Sequence, residues 1–187
     1  MNVSLSNLAI ALGAVYAVPQ IYGLVNPKGY GEWLRQFPRN IPLGVGLVLA
    51  GTAWFLYNLQ LESIADFAAF KRHMMVAFAA IGLGTCVFVH DFLAVRGLAV
   101  LLLLLAKLMV DTGRPHLGDS SWVLVNQVWA YGFVVAGIWF TISPWRLRDW
   151  IAWNTADDNR IRAGSLARLA FGLFVVVLGA VVFRPLA

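Results

Sequence analysis

The residues from Phe92 to His116, FLAVRGLAVLLLLLAKLMVDTGRPH, leave this chain few folds to choose from. Every position from Val100 to Ala106 is apolar, so a helix there has no face for water. A bilayer accepts such a segment, because a helix satisfies its own backbone polar groups. Phe92 to Val110 is 19 residues. At ~1.5 Å per residue that is about 28 Å, close to the ~30 Å hydrocarbon core. We read it as the fourth of six spans. Composition agrees: 60% of residues are hydrophobic, 13% aromatic and 12% charged, a membrane profile. The expected fold is an all-α polytopic bundle of six transmembrane helices and two interfacial amphipathic helices. It forms a single transmembrane domain over residues 1–187.

The polar residues of this fourth span share one side. At ~100° per residue Arg96 and Lys107 fall about 20° apart, with Asp111 about 40° further round. Lys107 and Asp111 are four apart and can pair. Two readings stand: a charged seam turned into the bundle, or basic side chains snorkelling to the membrane faces.

The remaining spans follow from apolar runs and their flanks. The six are expected at about 8–25, 41–59, 73–90, 92–110, 122–142 and 165–183. Pro19 predicts a kink in the first. NPKGYGEWLRQFPRN reads as a loop, and Pro42 suits the first turn of the second span. QLESIADFAAFKR and the Trp-Arg segment after Pro144 read as the interfacial helices. The first span has no basic residue before it and reads as retained. Small residues recur at seven-residue spacing: Gly44, Gly51 and Asn58; Ala77, Gly84 and Asp91; Ser165, Gly172 and Gly179. Gly132 and Ala136 form a further pair. Such stripes predict close helix contacts. Pro27 with Glu32-Trp33-Leu34, and Pro144 with Asp149-Trp150-Ile151, suggest a repeated unit.

Basic residues set the expected orientation. Lys28, Arg35, Arg39, Arg96, Arg146, Arg148, Arg160, Arg162 and Arg168 fall on one side. Lys71, Arg72, Arg114 and Arg184 fall on the other, with Lys107 nearest them. The positive-inside rule then puts both termini outside the cytoplasm of a cell inner membrane. The net charge of +5 concerns orientation and anionic lipid, not nucleic acid. A lone cysteine, Cys86, excludes an intrachain disulfide and a multi-cysteine metal site.

Three motifs carry resemblances. Tyr16-Ala17-Val18-Pro19-Gln20-Ile21 and Trp54-Phe55-Leu56-Tyr57-Asn58 resemble the Pro-Gln and Trp-x-x-Tyr segments of PQ-loop and SemiSWEET transporters. That resemblance implies a proline hinge at Pro19 and a solute site near Trp54 and Asn58. It covers under a third of the chain, and no second Pro-Gln follows. Lys107 with Arg114-Pro115-His116 resembles the first motif of type 2 phosphatidic acid phosphatases, whose lysine and arginine hold lipid phosphate. No histidine follows His116, so a phosphoryl-enzyme route lacks its nucleophile. Phe92 to Asp111, SPWRLRDW and RLAFGLFVVVLG resemble uncharacterised bacterial inner-membrane proteins and bring no activity with them.

Three functions remain in view. The first is a non-catalytic accessory subunit, packed in lipid against other membrane proteins or against itself. The second is a small-solute transporter using Pro19, Trp54, Asn58, Lys107, Asp111 and Asn126. The third is a lipid-headgroup enzyme using Asp111, with Arg114 and His116 against an anionic headgroup. No catalytic set, metal site or cofactor is expected. His73, His90 and His116 show no pattern for bis-histidine haem ligation.

Overall fold

The computed structural model describes residues 3–62 and 70–186. Among them are eight α-helices and no strand: α1 (Leu5–Val25), α2 (Pro27–Gln36), α3 (Ile41–Leu61), α4 (Lys71–Phe88), α5 (Leu93–Gly113), α6 (Val123–Ile142), α7 (Trp145–Asn154) and α8 (Asp158–Val177). A π-helical turn, Leu178–Val182, extends α8. Most of the expected interfacial helix QLESIADFAAFKR lies outside the described residues.

Five helices are long and apolar enough to cross a bilayer: α1, α3, α5, α6 and α8. α4 is not among them, because its 18 residues begin with Lys71, Arg72 and His73. Its apolar part, Met74–Phe88, reaches only about 22 Å at ~1.5 Å per residue.

Local chemistry explains the helix ends. The Ser4 hydroxyl accepts from the Asn7 amide at 3.3 Å and opens α1, which runs as a helix through Pro19. Asn40 accepts from the Leu43 amide at 3.0 Å and opens α3, with Pro42 in its first turn. The expected loop after α1 is instead α2. Asn26 closes α1 through its backbone amide and accepts from the Gly29 amide at 3.1 Å to open the next helix. Pro27 then falls at the first helical position, where its missing N–H costs nothing. α8 likewise starts seven residues before the expected 165, since Asp158 favours a helix start and Arg160 and Arg162 do not break one. α2 and α7 each have ten residues, and each lies between two membrane-length helices.

The chain divides into two compact units, residues 1–35, 105–133 and 148–187, and residues 36–104 and 134–147. In the first, α1 and α8 pack along their whole length. Gly23 faces Ser165, Gly13 and Ala17 face Gly172, and Ser6 and Ile10 face Gly179. The pair is therefore antiparallel, and its small residues bring the backbones together. A Cβ on Gly172 would lie 2.8 Å from the Ala17 Cβ and from the Gly13 carbonyl. The Ser6 hydroxyl donates to the Gly179 carbonyl at 2.8 Å. Leu5, Ala9, Val123, Val175, Leu178 and Phe183 form one core cluster, and Leu8, Met109 and Ala130 another.

In the second unit α3 packs on α5 and α4. Gly44 lies against Leu93 and Ala94, Gly97 against Leu47 and Val48, and Gly51 against Val100. The expected stripe on α4 is misplaced by two residues. Gly82, not Gly84, meets Thr52 of α3, and Gly82 is the buried residue of α4. On α6 the packed glycine is Gly137, against Leu103 and the Ala99 carbonyl, whereas Gly132 faces open space. Lys71 donates to the Gln60 and Glu62 carbonyls at 2.6 and 2.9 Å, closing α3. Phe92, with φ of 54°, turns the chain from α4 into α5.

Candidate functional site

The sequence-predicted residues fall in both units. Trp54 and Asn58 lie part-buried on α3 in the second. Pro19, Lys107, Asp111, Arg114, His116 and Asn126 belong to the first. There Lys107 Nζ lies 2.7 Å from Asp111 Oδ2, with side chains 48% and 55% exposed, so the pair is on the surface. Asn126 is buried; its amide donates to the Met109 carbonyl at 3.1 Å, and its Oδ1 has no hydrogen-bond partner among the described residues. Gln127 donates to the Val110 carbonyl at 3.4 Å. Both amides thus fasten α6 to α5. His116 Nδ1 meets Asp119 Oδ2 at 3.0 Å, and Arg114 is exposed. Among the described residues no hydrogen bond joins Asp111, Arg114 and His116, and no three His, Cys, Asp or Glu side chains gather as metal ligands would.

Two polar features of the first unit were not singled out from the sequence. One is a network inside the helix pair. Gln20 is buried on α1, and its Oε1 accepts from Tyr30 Oη at 3.1 Å and from Arg168 Nε at 3.0 Å. Its own amide donates back to the Tyr16 carbonyl at 3.2 Å. One glutamine thereby joins α1, α2 and α8. Above it Tyr16 packs edge-on against Trp129 and Phe171, at 5.5 and 6.1 Å between ring centroids. The apolar surroundings of Gln20 and Arg168 hid the network, because each looks isolated along the chain.

The other feature is a cleft of about 180 Å³ between α2 and the turn joining α7 to α8. Lys28, Gly31, Glu32, Arg35, Thr155, Ala156, Asp158 and Ile161 line it. Positions 28, 32 and 35 stand one or two turns apart, so they occupy one face of α2. Arg35 is fixed across the cleft: Nε donates to Thr155 Oγ1 at 2.8 Å, and Nη2 to the Thr155 carbonyl. Thr155 is buried, and its hydroxyl donates to the Ile151 carbonyl at 2.8 Å. At Gly31 a Cβ would lie 3.0 Å from Ile161 Cδ1, so the glycine lets α2 close on α8. Around this end stand Trp33, Trp150 and Trp153, all more than half exposed, with Arg160 stacked 5.5 Å over the Trp153 ring.

Along α6 an apolar face stays uncovered. Leu124, Val128, Tyr131, Val135, Ile138, Trp139 and Ile142 are each about half exposed or more. Gly132 sits at the edge of this face, and among the described residues nothing lies within 4 Å of the position of a Cβ. Comparison with protein-family models, with curated proteins and with solved structures finds no match to this chain.

Proposed function

We propose that this chain is a six-span protein of a cell inner membrane, with both termini outside the cytoplasm, that acts as a non-catalytic accessory subunit. The observation that carries the reading is the open glycine of α6. Gly13, Gly23, Gly44, Gly51, Gly82, Gly97, Gly137, Gly172 and Gly179 all meet side chains or backbone of this same chain. Among the described residues Gly132, like Gly46 on α3 and Gly118 in the loop after α5, meets nothing, and it lies beside a face of large apolar and aromatic residues. In lipid, small residues at a helix surface permit close approach of a second helix, and that approach drives association. The occupant is a transmembrane helix, from another membrane protein or from a second copy. α4 serves as the sixth span in this reading, its short apolar stretch extended by snorkelling of Lys71 and Arg72. A transport role has less support, since Asn126 donates to Met109 and Lys107 pairs with Asp111.

The test is a single substitution. Full-length protein extracted in mild detergent should run as a complex larger than the monomer. Gly132→Ile should reduce it to monomer without lowering the thermal midpoint of that monomer. Identical behaviour of wild type and Gly132→Ile sinks the reading.

A further inference from the structure

We propose that the cleft between α2 and the α7–α8 turn holds a phosphoethanolamine headgroup, that of a zwitterionic phospholipid bearing a primary amine. The inference takes the membrane location from the reading above but not the partner on α6. Two cations, Lys28 and Arg35, and two anions, Glu32 and Asp158, line the same small space. Among the described residues no ion pair within 4 Å joins any of them. Charges of both signs that face a cleft without neutralising one another suit a ligand that carries both signs. A purely anionic headgroup would meet the two carboxylates. A quaternary ammonium would offer them no N–H to accept, whereas a primary ammonium offers three.

The geometry assigns the ends. Arg35 is held by Thr155 through Nε and Nη2, so its guanidinium is oriented before any ligand arrives. A pre-oriented guanidinium and an exposed lysine are a phosphate-binding combination. Glu32 and Asp158 receive the ammonium. The space equals about six water volumes at ~30 Å³ each, enough for a headgroup but not for acyl chains. The chains would lie outside, along the apolar helices. The exposed Trp33, Trp150 and Trp153 set the depth, because tryptophan concentrates at the headgroup level.

The experiment uses the full-length protein, stripped of native lipid in detergent. It is titrated with short-chain lipids carrying phosphoethanolamine, phosphocholine or phosphoglycerol, and bound lipid is counted by native mass spectrometry. The phosphoethanolamine lipid should bind roughly tenfold more tightly than the other two. Glu32→Gln with Asp158→Asn should erase that preference, while Lys28→Ala should weaken all three lipids. Helix content by circular dichroism keeps these surface variants comparable with wild type. Equal binding of the three lipids by wild type overturns the proposal, as does a preference that survives in the double variant. Free phosphoethanolamine that displaces the lipid at equal concentration overturns the lipid as the source. A chain that stays folded without detergent overturns the membrane location instead, so the two failures are separable.

Discussion

Gly172 and Gly132 are the same residue in opposite situations. A side chain at Gly172 would run into Ala17 and the Gly13 backbone, whereas one at Gly132 would meet nothing. Gly172→Val should therefore cost about 1–3 kcal/mol by overpacking and visibly lower the thermal midpoint of the monomer in detergent. Gly132→Val should leave that midpoint where it is. Seven-residue spacing identified Gly172, Gly179, Gly44 and Gly51 as contact residues from the sequence. It could not say which helix they touch, because spacing defines a face and not its neighbour. On α4 it chose Gly84 where Gly82 makes the contact, and on α6 the small pair Gly132 and Ala136 stood out where Gly137 makes it, since both glycines of each helix lie in equally apolar surroundings. Gln20 was noticed only as half of a Pro-Gln pair, and its partners escaped notice for a related reason. Its importance lies in Tyr30 and Arg168, and the latter is 148 residues away in the chain.

At the level of elements, apolar runs located α1, α3, α5 and α6 to within three residues of their observed ends. Length in an apolar stretch is a strong signal when the helix must satisfy its own backbone. α2 was illegible because Pro27, Gly29 and Gly31 look like breakers until Asn26 is seen capping the turn. The cleft beside it was illegible with it, since a loop has no single face on which Lys28, Glu32 and Arg35 could align. α2 is held to the α7–α8 turn by Arg35 on Thr155. Thr155→Val keeps the volume and removes the hydroxyl, which should cost about 1–3 kcal/mol for the stranded Arg35 donor. Amide hydrogen exchange should then quicken in α2 and leave α1 protected. Equal exchange in variant and wild type would mean that Tyr30 and Pro27 hold α2 without help.

For the whole molecule, the number of crossings decides the sidedness. With α4 as a span, alkaline phosphatase fused to the C-terminus should be active outside the cytoplasm, and a fluorescent protein fused there should stay dark. A fusion within the α7–α8 turn should give the reverse. Five crossings would put the two ends on opposite sides, and paired fusions at both would disagree. The π-helical turn at the end of α8 and the first turn of α1 meet through Ser6 and Gly179, which are 173 residues apart. A ribosome adding ~5–20 residues per second needs roughly ten to thirty seconds to make the chain between them. Throughout that interval the glycine face of α1 waits for the helix that covers it. The newborn protein is open like an unclosed clasp until α8 arrives, and a chain cut short before that moment lacks the partner of Gly13, Ala17 and Gly23.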